Sequence, residues 1–449
     1  MTRTVSAWVS AGDELLGGVG PFPVDIPWWS EAAPVADRLE KLLGVPVLVL
    51  RLLDVDGGEG GRDGHVTYHV EALGRPAPGT LSRQRTVDPH LFGADEVFRS
   101  PWARADGLRE LFGWAEETLA SAGRPVTGPV EQRRTWNLAG LFRLPTARGP
   151  VWLKATPRFA ADEAAAISAF ARVDTGLVPV LVGSAERRVL MEHIPGVDCW
   201  QPSAETIGAA MERMVAAQVA LAELGPECLG GGSSPSAHVG GPDQPASGDG
   251  PPSAGSVDAR PSPSGVPDRR VPDLVTAVHA LLDGPAAREL TAQERFAAEE
   301  LTRRWETLTE CGLPDTLVHG DFHPGNWRSD GGPPVVVDFA DAHWGQPVLD
   351  GLRVHHFLAE PGRATAARAW SDAWKARVPA SDPARALVLA EPLAHLTYAV
   401  RYQEFLDGIE PSERVYHEGD PVDAIRAALR SARDPSPHLA SAGTRTEAR

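Results

Sequence analysis

The sequence predicts an α+β chain: a small α+β unit, then a strand-rich segment with one helix, then a long helical region. Three observations predict it. Residues up to about 122 hold helical and strand patterns with their own turn signals. Between Trp136 and Glu192, short apolar runs rich in Val, Leu and Trp flank a single Ala-rich stretch. After Gly196, apolar residues recur at helical spacing.

Taken in order, Pro34 to Leu43 sets Val35, Leu39, Leu42 and Leu43 on one helical face, and Gly44 stops it. Val45 to Leu53 reads as a strand. A turn-rich stretch, Asp54 to Gly64, leads to the alternating strand His65 to Ala72. Asp54, Asp56, Glu59 and Asp63 lack the ligand order of a Ca²⁺ loop and read as a solvated turn. A helix follows from Leu108 to Ala122. Strands are expected over Trp136–Pro145 and Gly149–Ala155, around the turn Thr146 to Gly149, and again over Val178–Gly183 and Arg188–Glu192. The Ala-rich helix between them runs from Ala160 to Arg172, because alanine loses the least side-chain freedom in a helix.

Ala204 to Leu224 is the first long helix of the second half. Residues 226–272 are dominated by Gly, Ser, Pro and Asp and cannot bury enough apolar surface to offset chain entropy, so disorder is expected. Helical patterns resume at Val275–Leu282, Ala292–Glu310, Gly351–Glu360, Ala364–Arg377, Pro383–Leu406 and Val422–Arg433. The expected division is an N-terminal α+β unit over 1–122, serving as a cap or interaction module; a β-rich lobe over 123–196; a helical lobe over 197–433 carrying the 226–272 insertion; and a flexible tail over 434–449.

Bulk composition excludes several classes. A net charge of −17 over 449 residues argues against nonspecific binding to nucleic acid or anionic membranes. No stretch of about 18 apolar residues suggests a membrane span. Cys199, Cys228 and Cys311 have no metal-ligand spacing, and the N-terminus leads into no apolar run of signal-peptide length, so a cytoplasmic protein with reduced thiols is expected. Oligomeric state is not legible.

The chemistry concentrates in His319-Gly320-Asp321-Phe322-His323-Pro324-Gly325-Asn326 and Val335-Val336-Val337-Asp338-Phe339. Pro324-Gly325 holds the first segment as a loop. Asp321 could accept a proton from a hydroxyl. Asn326 and Asp338 could both reach a divalent metal. Phosphoryl transfer needs this set: a base that orients the nucleophile, and oxygen ligands for Mg²⁺ on the nucleotide phosphates. A different chemistry uses the same loop: His319, Asp321 and His323 could make a metallohydrolase site. That reading leaves Asn326, Asp338 and Lys154 unexplained.

The two segments resemble the catalytic loop, H-G-D-x-H-x-x-N, and the D-F metal-binding segment of the aminoglycoside phosphotransferase family, small-molecule kinases with a protein-kinase-like fold. Gly345-Gln346-Pro347 and Asp350 fall where that family shows G-D-P and a further aspartate, and Gln346 departs from the acidic residue. The resemblance covers roughly residues 125 to 425. It implies a bilobal fold with a β-rich N-lobe and a helical C-lobe, and transfer of the γ-phosphoryl of ATP or GTP, with Mg²⁺, to a hydroxyl of a small polar molecule. It further implies Asp321 as general base, Asn326 and Asp338 as Mg²⁺ ligands, and Asp350 as anchor of the loop backbone. Lys154 would bind the nucleotide phosphates and pair with Glu163, preferred over Asp162 for its longer reach. Glu192 and Ile194 would hold adenine through backbone groups at the interlobe hinge. A glycine-rich phosphate loop is missing: Asn137 to Gly140 offers one glycine. Glu391, His395, Tyr398 and Tyr402 share a helical face that is either acceptor pocket or core packing. A non-catalytic nucleotide-binding module is the alternative of another class.

Overall fold

A computed structural model describes residues 3–12, 14–82, 97–230 and 265–441. They form two compact bodies: Met1–Ala160 with Val180–Ile194 and Tyr402–Asp420, and Ala161–Pro179 with Pro195–Arg401 and Pro421–Arg449.

In the first body, β1 (Arg3–Ala11), β2 (Glu14–Val24), β3 (Val47–Asp56) and β4 (His65–Ala72) form a mixed sheet in the order β2-β1-β4-β3, with β1 and β4 parallel. Val5, Ala7 and Val9 alternate inward along β1. They meet Val35, Leu39 and Leu43 on α1 (Ala33–Leu43). Gly44 ends α1 in the left-handed region at φ 71°, its N–H donating to Glu40 O at 2.8 Å. The strands β1 and β2 were not among the sequence expectations, since Gly17, Gly18 and Gly20 interrupt the apolar alternation in β2.

The same body holds a five-stranded antiparallel sheet in the order β5-β6-β7-β9-β8: β5 (Glu131–Trp136), β6 (Ala139–Leu144), β7 (Val151–Ala155), β8 (Leu181–Ala185) and β9 (Arg188–Glu192). The stretch expected as one strand, Trp136–Pro145, is instead a hairpin: Trp136 closes β5, Asn137-Leu138 turn, and Ala139 opens β6. β5 escapes a hydrophobicity reading because only Gln132 and Thr135 of its six residues are buried. Phe142, Leu144, Val151, Leu153 and Leu190 pack with Leu50, Trp102 and the Leu108, Leu111, Ala115 and Leu119 face of α2 (Ala105–Ser121). Of the residues expected as a separate N-terminal unit, Leu50, Trp102 and α2 thus share a core with the strands after them, while β1–β4 and α1 enclose a core of their own.

The second body is helical. It contains α3 (Glu163–Val173), α4 (Ala204–Leu224), α5 (Val271–Asp283), α6 (Ala292–Leu301), α7 (Arg304–Thr309), α8 (Val348–Phe357) and α9 (Gly362–Arg377), then most of α10 (Pro383–Gly408), α11 (Asp420–Arg433) and α12 (Pro437–Ser441). Asp162 caps α3 by accepting the Ala165 N–H at 3.0 Å. Among these helices run short strands: β10 (Val197–Asp198), β12 (Trp327–Ser329) and β13 (Val335–Val336) in one sheet, β11 (Thr316–Val318) and β14 (His343–Gly345) in another. Of the 226–272 insertion, 231–264 lies outside the described residues. The ends of that insertion correct the expectation, because Pro226–Gly230 forms a 3₁₀ turn and Val271 opens α5. The expected tail likewise begins with the ordered α12, and residues 442–449 lie outside the described residues.

Candidate active site

The loop His319–Asn326 connects β11 to β12 in the second body. Asp350, in the first turn of α8 and fully buried, holds its entry by accepting N–H bonds from His319 at 2.9 Å and Gly320 at 3.0 Å. Gln218 of α4 donates a third at 2.8 Å. Burial pushes the Asp350 carboxyl up to about 7, against the pull of these three donors. Gly320 sits at φ 85°, and a Cβ there would lie 2.2 Å from Asp341 O. Only glycine fits the turn that delivers Asp321.

His319 is buried with both ring nitrogens committed: Nε2 donates to Val337 O at 3.0 Å and Nδ1 accepts from Asp321 N at 3.2 Å. Burial lowers its pKa to about 4, so the ring stays neutral and ties the loop to the strand before Asp338.

Three side chains surround the Asp321 carboxylate. Arg353 Nε donates to Oδ1 at 2.7 Å, Asn326 Nδ2 donates to Oδ2 at 3.0 Å, and His323 Nε2 lies 3.3 Å from Oδ2. Burial would raise this carboxyl, but Arg353 and His323 hold it well below the usual carboxylate range. Arg353 rests over the Tyr398 ring, 5.2 Å from its centroid. Arg353 was missed in the sequence, although it lies three residues after Asp350 and therefore near the same helical face.

Because the Asn326 amide nitrogen is tied to Asp321 O and Oδ2, its Oδ1 is the atom directed elsewhere. Val337 N–H donates to Asn326 O at 2.9 Å, which sets Asp338 one residue from the Asn326 backbone. Asp338 adopts φ 69°, a left-handed conformation that costs a residue with a side chain about 1–2 kcal/mol. An amide oxygen and a strained carboxylate make a hard-oxygen donor pair that fits Mg²⁺, which takes one or two carboxylates and completes its shell with water and phosphate. Among the described residues there is no group of three or more His, Cys, Asp or Glu able to hold a metal alone.

The other expected site residues are distributed over both bodies. Glu163 opens α3, and its Oε1 accepts the Phe339 N–H at 2.9 Å, so it contacts the backbone directly after Asp338. Asp162 is occupied as the helix cap. Lys154 is buried on β7 of the first body, in register with Leu141 and Val189. Glu192 ends β9 there; its N–H donates to Val180 O at 2.9 Å and its carboxylate pairs with Arg124. Ile194 follows, half-buried. The late stripe divides by role: Glu391 is buried and accepts the Ser436 N–H at 3.0 Å, a packing function, whereas Tyr398 supports Arg353. Gln346 donates to Asp315 at 2.6 Å, where an acidic residue would face a like charge.

The sequence profile of the phosphotransferase enzyme family, APH, matches residues 141–389, more than half of the chain. The chain belongs to that family. Its fold is accordingly the protein-kinase-like one, with an additional α+β segment before it, and at the family level such enzymes use a nucleotide and a divalent metal. A comparison with curated protein sequences gave no match. Among solved structures, similar chains include a choline/ethanolamine kinase family protein from Mesorhizobium loti (16% identity, 74% of this chain and 99% of that one, TM-score 0.46). Others are a macrolide 2′-phosphotransferase from Brachybacterium faecium (16%, 72% and 98%, 0.41) and an ethanolamine kinase from Plasmodium vivax (8%, 68% and 82%, 0.44). The APH profile match, not these likenesses, sets the family. No helix among the described residues is long and apolar enough to cross a membrane.

Proposed function

We propose that this phosphotransferase moves the γ-phosphoryl group of ATP or GTP, with Mg²⁺, to a hydroxyl of a small polar molecule such as an aminoglycoside, sugar or amino alcohol. The observation that carries the reading is the convergence of Asp321, Asn326 and the Asp338 segment on one loop and strand pair. Asp321 orients the acceptor hydroxyl. The acceptor oxygen forms the new bond to phosphorus as the bond to the β–γ bridging oxygen breaks. The hydroxyl proton passes to the Asp321 carboxylate, and the electron pair leaves with the nucleoside diphosphate. When bound, Mg²⁺ supplies charge neutralisation at the phosphates, with Asn326 Oδ1 and Asp338 as the residues that would hold it. Lys154, Glu163, Glu192 and Ile194 remain the residues proposed for the nucleotide. No nucleic-acid or membrane partner is proposed, in keeping with the acidic charge.

The metallohydrolase alternative loses support at His319, whose two ring nitrogens are both used within the fold. A screen of hydroxyl acceptors following ADP or GDP release tests the proposal. Turnover with at least one acceptor is expected, and Asp321→Ala should lower it by roughly 10²–10⁴-fold while nucleotide affinity persists. Nucleotide binding without transfer to any acceptor would identify a non-catalytic module; stoichiometric Zn²⁺ or Mn²⁺ without nucleotide binding would identify a hydrolase.

A further inference from the structure

Phosphoryl transfer does not require the Gly-, Ser- and Pro-rich insertion in the second body, yet both of its ends land on α3. The returning end is Gly265-Val266-Pro267-Asp268-Arg269-Arg270. Val266 is buried, and Pro267 favours extended backbone before it. Asp268 accepts the Arg270 N–H at 3.1 Å, which fixes the turn into α5.

This end runs alongside β14, with Asp268 parallel to Trp344. Trp344 N–H donates to Pro267 O at 2.9 Å, and Arg269 N–H donates to Trp344 O at 2.8 Å. On the other side Gly265 O accepts the Asp162 N–H at 2.9 Å, and the adjacent Ala161 N–H donates to Ala340 O at 2.8 Å. The hydrogen bonds close a ring through three segments: the start of α3, residues 340–344 after Asp338, and the returning end. Two glycines make room for it. A Cβ on Gly265, at φ 70°, would lie 2.9 Å from Asp162 Cβ, and one on Gly345 would lie 2.9 Å from Arg269 O. At the far end of α3, Arg172 Nη1 donates to Cys228 O at 2.7 Å, on the 3₁₀ turn where the insertion departs. About 15 Å of helix separates the two grips.

We propose that the two ends of the insertion form a clamp on α3 that positions the Mg²⁺-nucleotide site, so that the seating of the insertion and nucleotide binding are coupled. This rests on the phosphotransfer reading above. Glu163, proposed for the nucleotide, opens the clamped helix and accepts the Phe339 N–H, one residue after the proposed metal ligand Asp338. A shift of the returning end therefore moves Glu163 and the Asp338 segment together. The Asp321 loop has a separate anchor in Asp350, so the acceptor side stays in place. Such coupling is reciprocal: unseating the end weakens nucleotide binding, and bound nucleotide secures the end.

The test has two parts. In steady-state transfer, Gly265→Ala and Arg172→Met should each raise KM for the Mg²⁺-nucleotide by at least about 3-fold, the factor that loss of one hydrogen bond produces. KM for the acceptor should not change, and Arg172→Lys, which keeps a donor, should restore the wild-type nucleotide KM. In hydrogen exchange on the wild type, MgADP should slow exchange in peptides covering 160–163, 265–270 and 340–345. The exchange measurement needs no variant and decides if either variant fails to fold. Nucleotide KM values raised less than about 3-fold in both variants, or a rise in both KM values alike, would overturn the clamp. Exchange that MgADP leaves unchanged in those peptides would overturn it too. Transfer to no acceptor by the wild type would strike the phosphotransfer reading instead, and exchange with MgADP would still decide the coupling.

Discussion

Asp338 spends conformational energy where its neighbours do not. At φ 69° it occupies a region that glycine enters without cost. Replacing it should therefore separate stability from function. Asp338→Gly relieves that backbone cost and is expected to change thermal stability of the nucleotide-free protein by no more than about 2 kcal/mol, while weakening Mg²⁺-nucleotide binding at least about 10-fold. Calorimetric titration alongside thermal unfolding measures both. Wild-type affinity in this variant would refute the proposed role of Asp338 as a metal ligand. At this scale residue type and spacing singled out Asp321, Asn326 and Asp338, which the structure brings together on one loop and the segment after β13. Arg353, which reaches Asp321 from α8, was not singled out, because pairing across the fold leaves no local pattern.

The loop that carries Asp321 depends on elements outside it. Asp350 on α8 and Gln218 on α4 fix its entry, and the Asp350 carboxyl is raised to about 7 from the ordinary aspartate value by burial. A raised folded-state pKa lends stability that is complete below the unfolded value and is lost as pH climbs through the folded one. Between about pH 4 and pH 7, then, Asp350 should contribute a falling stability with a slope of at most about 1.4 kcal/mol per pH unit. Asp350→Asn removes the titration and leaves one loop N–H without its acceptor, a cost of about 1–3 kcal/mol. Urea unfolding at pH 5 and pH 8 should show the gap between wild type and variant narrowing at the higher pH; an equal gap at both would refute the assignment.

Gly320→Ala probes the same loop sterically. The added methyl meets Asp341 O at 2.2 Å in a left-handed backbone, so a loss of roughly 2 kcal/mol or more is expected in the same unfolding experiment. A variant as stable as wild type would mean that the turn can relax. Elements themselves were legible where periodicity was strong, as in α4, α9 and α10. β5 and the hairpin at Asn137-Leu138 were misread, because an edge strand with polar residues on both sides carries no alternation to detect.

At the scale of the whole chain, the decisive feature of the first body is that part of its N-terminal segment, Leu50, Trp102 and α2, belongs to the core of the five-stranded sheet, while β1–β4 and α1 enclose a core of their own. Leu50, Trp102, Leu108, Leu111 and Leu119 pack with Phe142, Leu144, Leu153 and Leu190. Val49 and Gln132 exchange two hydrogen bonds, N–H to Oε1 at 2.8 Å and Nε2 to O at 2.7 Å, and Arg51 is paired with Glu410 at 2.9 Å in buried surroundings. The helix and strand patterns up to about residue 122 suggested a separate unit, but such patterns report local structure and not which side chains share a core. Removing residues 1–122 would strip one face of the sheet and expose several large apolar side chains, each worth about 1.5–3 kcal/mol when buried. A chain beginning at residue 123 should accumulate as aggregate, whereas the full chain unfolds cooperatively. Expression of both, followed by sedimentation and thermal unfolding monitored by circular dichroism, decides the matter: a soluble, cooperatively unfolding 123–449 fragment would show that the N-terminal residues decorate this body without completing it.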